Sequence, residues 1–450
     1  MNALLVRLKA LVCALPRGLR WRWALPAAGA LLMTGAVLPV VLSSCERQEM
    51  AARGRRRNRF ERRPLRLGDV PEVRVRLTPR TVRSVRLAAT GPYRLFADGR
   101  VIVNSVEPML PVRAAREAGE WRVGAVSATG GGLTLEPAPD TFVRLDGKRF
   151  RGRMHLVARG DKGFICVNQL DLESYLAGVL PAEMYPHWHE EALKSQAVAA
   201  RTFALYHRLR APDRADYDLG ADQSAQMYGG VEAETDRAWR AVRGTHGMVL
   251  AVGPPGQERE IFMAQYSACC GGRVNDASAI REAPDLPPLH GGQACDDCRD
   301  CPRYRWPEAT VSKSDVYQAL LDVYPAKARR LGAVKAVRVS RRSPTGWIEW
   351  VHVLGRNRDA DGKPELLVVR GQDFRLALAT NTASAAGVHS ANCDIEDRGD
   401  AIAFTDGRGW GHGVGLCQWG AQGKAAAGWS AEQILGFYYP GATLIRAYLP

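Results

Sequence analysis

Glu183 stands between two prolines, in Leu180-Pro181-Ala182-Glu183-Met184-Tyr185-Pro186. A carboxylate held among prolines and apolar side chains is partly stripped of water, and desolvation raises its pKa toward what a general acid needs at neutral pH. Lys194 and Arg201 follow, seven residues apart. That spacing is two helical turns and puts both on one side of a helix, where they could hold an anionic or polyhydroxyl substrate beside Glu183. The same residues admit a plainer reading, with Glu183 an acid favoured at a helix start by the dipole and the cationic pair a solvated face.

Cysteine is the second chemistry-bearing residue type. Of ten, Cys13 and Cys45 lie in the amino-terminal segment; Cys166, Cys269, Cys270, Cys295, Cys298, Cys301, Cys393 and Cys417 remain. An even number in an exported chain favours disulfides, which is the preferred expectation. The alternative is a structural zinc on Cys295-x-x-Cys298-x-x-Cys301 with a fourth thiolate from Cys269 or Cys270, the set Cys270, Cys295, Cys298 and Cys301. Other metal and nucleotide motifs fail on counting. After His189-Glu190 the second histidine of a helical zinc-protease pattern falls on Leu193, and in Gly409-x-Gly411 the closing glycine of a dinucleotide fingerprint falls on Val414. There is no Walker loop and no G-x-S-x-G elbow.

The elements that must carry these residues change character along the chain. From residue 67 to about 165 the pattern is mostly β, with Val73, Val75 and Leu77 alternating with Arg74 and Arg76, and turn signals at Asp98-Gly99 and Asp146-Gly147. From 166 to 450 it is mixed. His189 to Leu209 has no Gly or Pro and spaces Leu193, Ala197, Ala200 and Ala204 as one helical face. Further helices are expected over 314–331 and 430–438, and strands over 333–340 and 347–354 around a turn at 343–346. The expected class is α+β, antiparallel sheets with a few packed helices in a single large domain spanning 67–450.

With 46% hydrophobic and 24% charged residues in 450, the chain is globular rather than disordered or fibrous. Its net charge of +15 is concentrated at the start: residues 1–66 hold 14 Lys/Arg against 3 Asp/Glu, and the other 384 hold 48 against 44. A nucleic-acid binder would carry the charge on its folded body, so no nucleic-acid partner is expected. The layout instead reads as an export leader over 1–44, with basic residues Arg7 to Arg22 followed by an uncharged apolar stretch from Ala24 to Leu42. Leu42-Ser43-Ser44-Cys45 resembles a bacterial lipobox, which makes Cys45 the expected lipidation site and a membrane anchor; an uncleaved apolar anchor is the alternative. Residues 45–66, rich in arginine, read as a disordered tether able to lie on anionic lipid or wall polymer.

Four blocks carry a family resemblance. Asn168 to Met184 with Glu191 to Thr202, then Asp222-Gln223-Ser224-Ala225-Gln226-Met227-Tyr228-Gly229-Gly230, then Tyr266-Ser267-Ala268-Cys269-Cys270-Gly271-Gly272, and finally Gly409 to Ala421 with Tyr438-Tyr439-Pro440-Gly441 resemble, in order, the signature of the SpoIID/LytB family. The resemblance implies a peptidoglycan lytic transglycosylase that cuts the β-1,4 bond between N-acetylmuramic acid and N-acetylglucosamine and leaves a 1,6-anhydro end. Glu183 would be its single acid and base, with no cofactor required. It further implies that Lys194, Gln196, Arg201, Asp222, Gln226, Tyr228, Ser267, His412 and Gln418 line the glycan groove. The implied partners are peptidoglycan glycan strands and a cell-wall amidase, since some relatives are amidase enhancers. The sequence departs from the family in two places. Tyr266 replaces a histidine found in many relatives, and the second block lacks the Cys and His with which some relatives build a zinc site.

Overall fold

The computed structural model describes residues 69–449 apart from 162, 224, 254–258 and 282–284. The leader, Cys45 and the arginine tether lie outside the described residues. Among the described residues no helix is long and apolar enough to cross a membrane.

The fold is α+β, with eight α-helices among the described residues and several mostly antiparallel sheets. Residues 72–171 build two of these, with the later strand 219–220 added at the edge of one. One has seven strands in the order 219–220, 72–76, 164–171, 153–158, 132–137, 93–97, 100–105; the other has six, in the order 148–150, 143–145, 84–89, 109–117, 120–123, 126–128. Their facing residues, among them Leu87, Trp121, Leu135 and Phe164, form one core. The turns at Asp98-Gly99 and Asp146-Gly147 have both residues at positive φ, the backbone that suits a tight hairpin to twisted strands.

Strand Phe164–Asp171 runs directly into helix α1, Leu172–Glu183, where the Asp171 carboxylate caps the Ser174 N–H at 2.8 Å. Helix α2, Glu190–Arg210, follows after a short loop and packs against α1 and α3, Asp236–Gly244. These helices bury a second core that also receives Leu416 and the cysteines 269, 270, 295, 298, 301 and 417. A third core lies under the sheet Val334–Arg342, Ile348–Arg358, Pro364–Arg370, covered by α4 (Lys313–Val323), α5 (Pro325–Leu331) and α6 (Gly371–Asn381). The helix expected over 314–331 is thus two helices, because Pro325 cannot donate to the preceding turn and starts a new one. Helices α7, Gln418–Ala426, and α8, Ala431–Tyr438, follow, and after them the strand Thr443–Arg446 pairs with Met248–Val252. Ser430 and Gln433 make a capping box at the start of α8.

Candidate active site

Glu183 is the last residue of α1, not the first of a helix, so the reading of it as a helix-start acid is corrected. Carbonyl groups gather at that end of a helix and disfavour a negative charge there. Pro181 lies inside the helix, which continues over it to Glu183. Gly178, one turn earlier, lets the next segment approach: a Cβ there would sit 2.7 Å from the Tyr228 ring. That packing holds residues 226–230 against α1 and aims the Met227 N–H at Glu183 Oε1 from 2.7 Å.

The carboxylate opens into a cleft of about 690 Å³. Its hydrogen-bond partners are all neutral: the Met227 N–H, the Gln418 side chain and the Tyr266 hydroxyl. Burial raises the Glu183 pKa above the ordinary carboxylate value, against the pull of those three donors. Behind them a buried relay fixes the tyrosine. Tyr175 Oη donates to Gln226 Oε1 at 3.1 Å, and Gln226 Nε2 donates to Tyr266 Oη at 3.0 Å. One wall of the cleft is aromatic, with Trp188 and Trp419 rings edge-to-face at 4.9 Å and Tyr185 5.2 Å from Trp188. Arg281 and Arg375 also line the cleft. Glu183 is the one carboxylate among the described residues lining the cleft.

Of the nine residues expected in the groove, Ser267, His412 and Gln418 line it with Glu183. Ser267 Oγ accepts from the Gly413 N–H at 3.1 Å, and His412 Nδ1 accepts from the Val414 N–H at 3.1 Å. Burial lowers the His412 pKa to about 4, so its ring is neutral in the physiological range. The other six do not line the cleft. Arg201 is fully buried, with Nε and Nη2 each 2.8 Å from the Glu173 carboxylate, and so ties α2 to α1 instead of meeting solvent. Lys194 is paired with Glu190 at 3.0 Å and Glu191 at 2.8 Å on the first turns of α2. The two-turn spacing did not predict this separation: one cation faces the core and the other the surface. Gln196 is buried behind Gln418, at 3.5 Å. Gln226 acts through Tyr266, Tyr228 donates to Asn168 Oδ1 at 3.0 Å, and the Asp222 carbonyl closes a turn with the Ala225 N–H at 3.0 Å.

Sequence reasoning missed Tyr266, which it set aside as a departure, together with the aromatic wall and the two arginines. The tyrosine's signal was its place in the third block; the arginines lie outside all four blocks and gave none. The cysteines also regroup. All eight described are free thiols, and those brought together are Cys270, Cys295, Cys298 and Cys417, with Cys301 outside that set.

Residues 160–251 match the Stage II sporulation protein (SpoIID) family. An uncharacterized protein of Brachyspira hyodysenteriae is 30% identical over 365 residues, 79% of this chain and 88% of the relative. The amidase enhancer of Bacillus subtilis is 27% identical over 364 residues, 73% of this chain but 49% of that protein's length. Stage II sporulation protein D of Bacillus subtilis is 26% identical over 298 residues, 62% of this chain and 76% of the relative. All four sequence blocks converge on the Glu183 cleft, and with these relatives the conclusion is plain: the chain belongs to the SpoIID family.

Proposed function

We propose that the chain is a cell-wall enzyme, a lytic transglycosylase acting on peptidoglycan glycan strands, with Glu183 as its acid and base. The observation that carries this reading is a solitary carboxylate, with its pKa raised by burial, in a cleft with an aromatic wall and two arginines. Hydrolytic glycosidases need a second carboxylate as nucleophile or as base for water. A lone acid suffices when the sugar's own 6-hydroxyl attacks C1. Protonated Glu183 gives its proton to the glycosidic oxygen as the C1–O bond breaks, and the resulting carboxylate takes the 6-hydroxyl proton as the 1,6-anhydro ring closes. Tyr266, Gln418 and the Met227 N–H hold the carboxylate in place and stabilise its charged form between the two transfers. The aromatic wall suits the apolar faces of sugar rings. Arg281 and Arg375 suit the carboxylate of the lactyl group or of a stem peptide. We also place the protein outside the cytoplasm, held to the membrane through Cys45.

A second reading, that the chain enhances a cell-wall amidase without cutting glycan itself, is favoured by its similarity to an amidase enhancer. One experiment separates the two. Isolated glycan strands, with and without stem peptides, are incubated with the wild type and with Glu183→Gln, and the products are read by mass spectrometry. New 1,6-anhydro ends made by the wild type alone support the transglycosylase. Strand binding by both proteins with no new ends from either supports the enhancer.

A further inference from the structure

The grouped thiols lie beside the cleft but take no part in the chemistry at Glu183. Cys270 follows the short strand Tyr266–Ser267, Cys295 and Cys298 flank a tight turn, and Cys417 caps α7. All four side chains are buried, and their Sγ atoms lie within 4.8 Å of one another. The Cys270 and Cys298 sulfurs are 3.7 Å apart. In a zinc tetrathiolate the Zn–S bonds of about 2.3 Å place the sulfurs about 3.8 Å apart along each edge of the tetrahedron. Two disulfides would draw four sulfurs into two close pairs, whereas here each has the other three within reach.

The surroundings suit thiolates rather than apolar thiols. The N–H groups of Cys270 and Gly420 point at Cys417 Sγ from 3.3 and 3.4 Å, and the Tyr438 hydroxyl lies 3.1 Å from Cys295 Sγ. Donors of this kind orient and stabilise metal-bound sulfur. Gly420 also leaves the space empty, since a Cβ there would stand 2.6 Å from Cys295 Sγ.

We propose that Cys270, Cys295, Cys298 and Cys417 bind one structural zinc ion, with all four positions filled by protein and no open coordination site. The ion joins three segments distant in sequence and sits directly behind the cleft. Strand Tyr266–Ser267 pairs with Leu416–Cys417, so the metal clamps the two strands that deliver Tyr266, Ser267 and the adjoining Gln418 to Glu183.

The full chain, purified from zinc-supplemented medium, should carry about one zinc per molecule by elemental analysis. Exchange for cobalt(II) should give the visible absorption of a tetrahedral tetrathiolate. Cys417→Ser should lose most of the metal, whereas Cys301→Ser keeps it. Should Cys417→Ser fail to fold, thiol alkylation of the wild type decides: four cysteines protected until a chelator is added, then labelled. The proposal is overturned by a wild type that holds iron or no metal and takes up no cobalt. It is equally overturned by intact masses showing disulfides among these four, or by Cys301→Ser losing zinc as Cys417→Ser does. None of these readouts depends on glycan cleavage, so the metal site and the Glu183 chemistry can fail separately.

Discussion

Helix α1 carries a glutamate near each end, and the two are set up for opposite tasks. Glu173, in the first turn, receives two hydrogen bonds from Arg201 and one from the Tyr448 hydroxyl. Burial, the largest single influence, would raise its pKa, yet the bidentate arginine together with the Tyr448 hydroxyl and nearby His246 outweighs it and holds the pKa below the ordinary carboxylate value. Glu183, at the carbonyl end of the same helix, has neutral donors only, and burial prevails. Desolvation acts on both; a cationic partner decides the sign. The linkage to stability is opposite as well. Glu173 stabilises the fold above the ordinary carboxylate pKa, and this is lost as pH falls through its depressed folded value. Glu183 contributes stability at low pH that is lost as pH rises through its elevated folded value, and above that value the fold carries an unfavourable charge there.

The sharpest way to break this contrast is Glu183→Gln. Loss of the proton-transferring group should lower the rate of anhydro-end formation by about 10²–10⁴-fold. The thermal midpoint should hold or rise at pH above the elevated Glu183 value, where the variant no longer carries the buried charge. Wild-type turnover in this variant would remove Glu183 from the chemistry.

Arg201→Met tests the other end of the helix. It strands a buried carboxylate and should cost about 3–5 kcal/mol in denaturant unfolding. The double variant with Glu173→Gln should recover much of that loss. A single variant as stable as wild type would show that Arg201 does not neutralise Glu173.

The family resemblance supplied the four blocks, and spacing revealed α2 and the span of α8, because those helices depend on local signals: an uninterrupted apolar face, or a Pro440-Gly441 stop. Spacing did not reveal α1. Gly178 and Pro181 both argue against a helix, and only tertiary contact explains them, with the glycine receding for Tyr228. Nor could spacing divide Lys194 from Arg201. The period places them on one side of α2, but what covers that side changes along the helix, from solvent beside Glu190 to α1 and the strand Met248–Val252 around Arg201. Spacing likewise could not point to Cys417. Cys301 is adjacent in sequence to the C-x-x-C turn, whereas Cys417, more than a hundred residues on, is adjacent in space.

Tyr266→Phe sharpens the comparison from the side of Glu183. The tyrosine's hydroxyl favours the charged carboxylate, so removing it should push the Glu183 pKa further up. The protonated acid then persists to higher pH, and the alkaline limb of the pH–rate profile should move upward. The rate itself should fall by about threefold to tenfold, the worth of one hydrogen bond. An unmoved alkaline limb would mean that Tyr266 shapes the cleft without touching the titration.

The smallest effect is expected at Lys194, where a charge-based reading of the sequence expects substrate binding. Its ammonium is satisfied by Glu190 and Glu191 on its own helix, and no part of it lines the cleft. Half-exposed pairs of this kind contribute about 0.2–1 kcal/mol, so Lys194→Ala should shift unfolding by no more than that and leave KM for glycan strands unchanged. Arg281→Ala, which removes a cation that does line the cleft, should raise KM in the same assay. A KM that rises on loss of Lys194 but not of Arg281 would reverse the division made here, between the cation that closes a helix turn and the cation that faces the substrate.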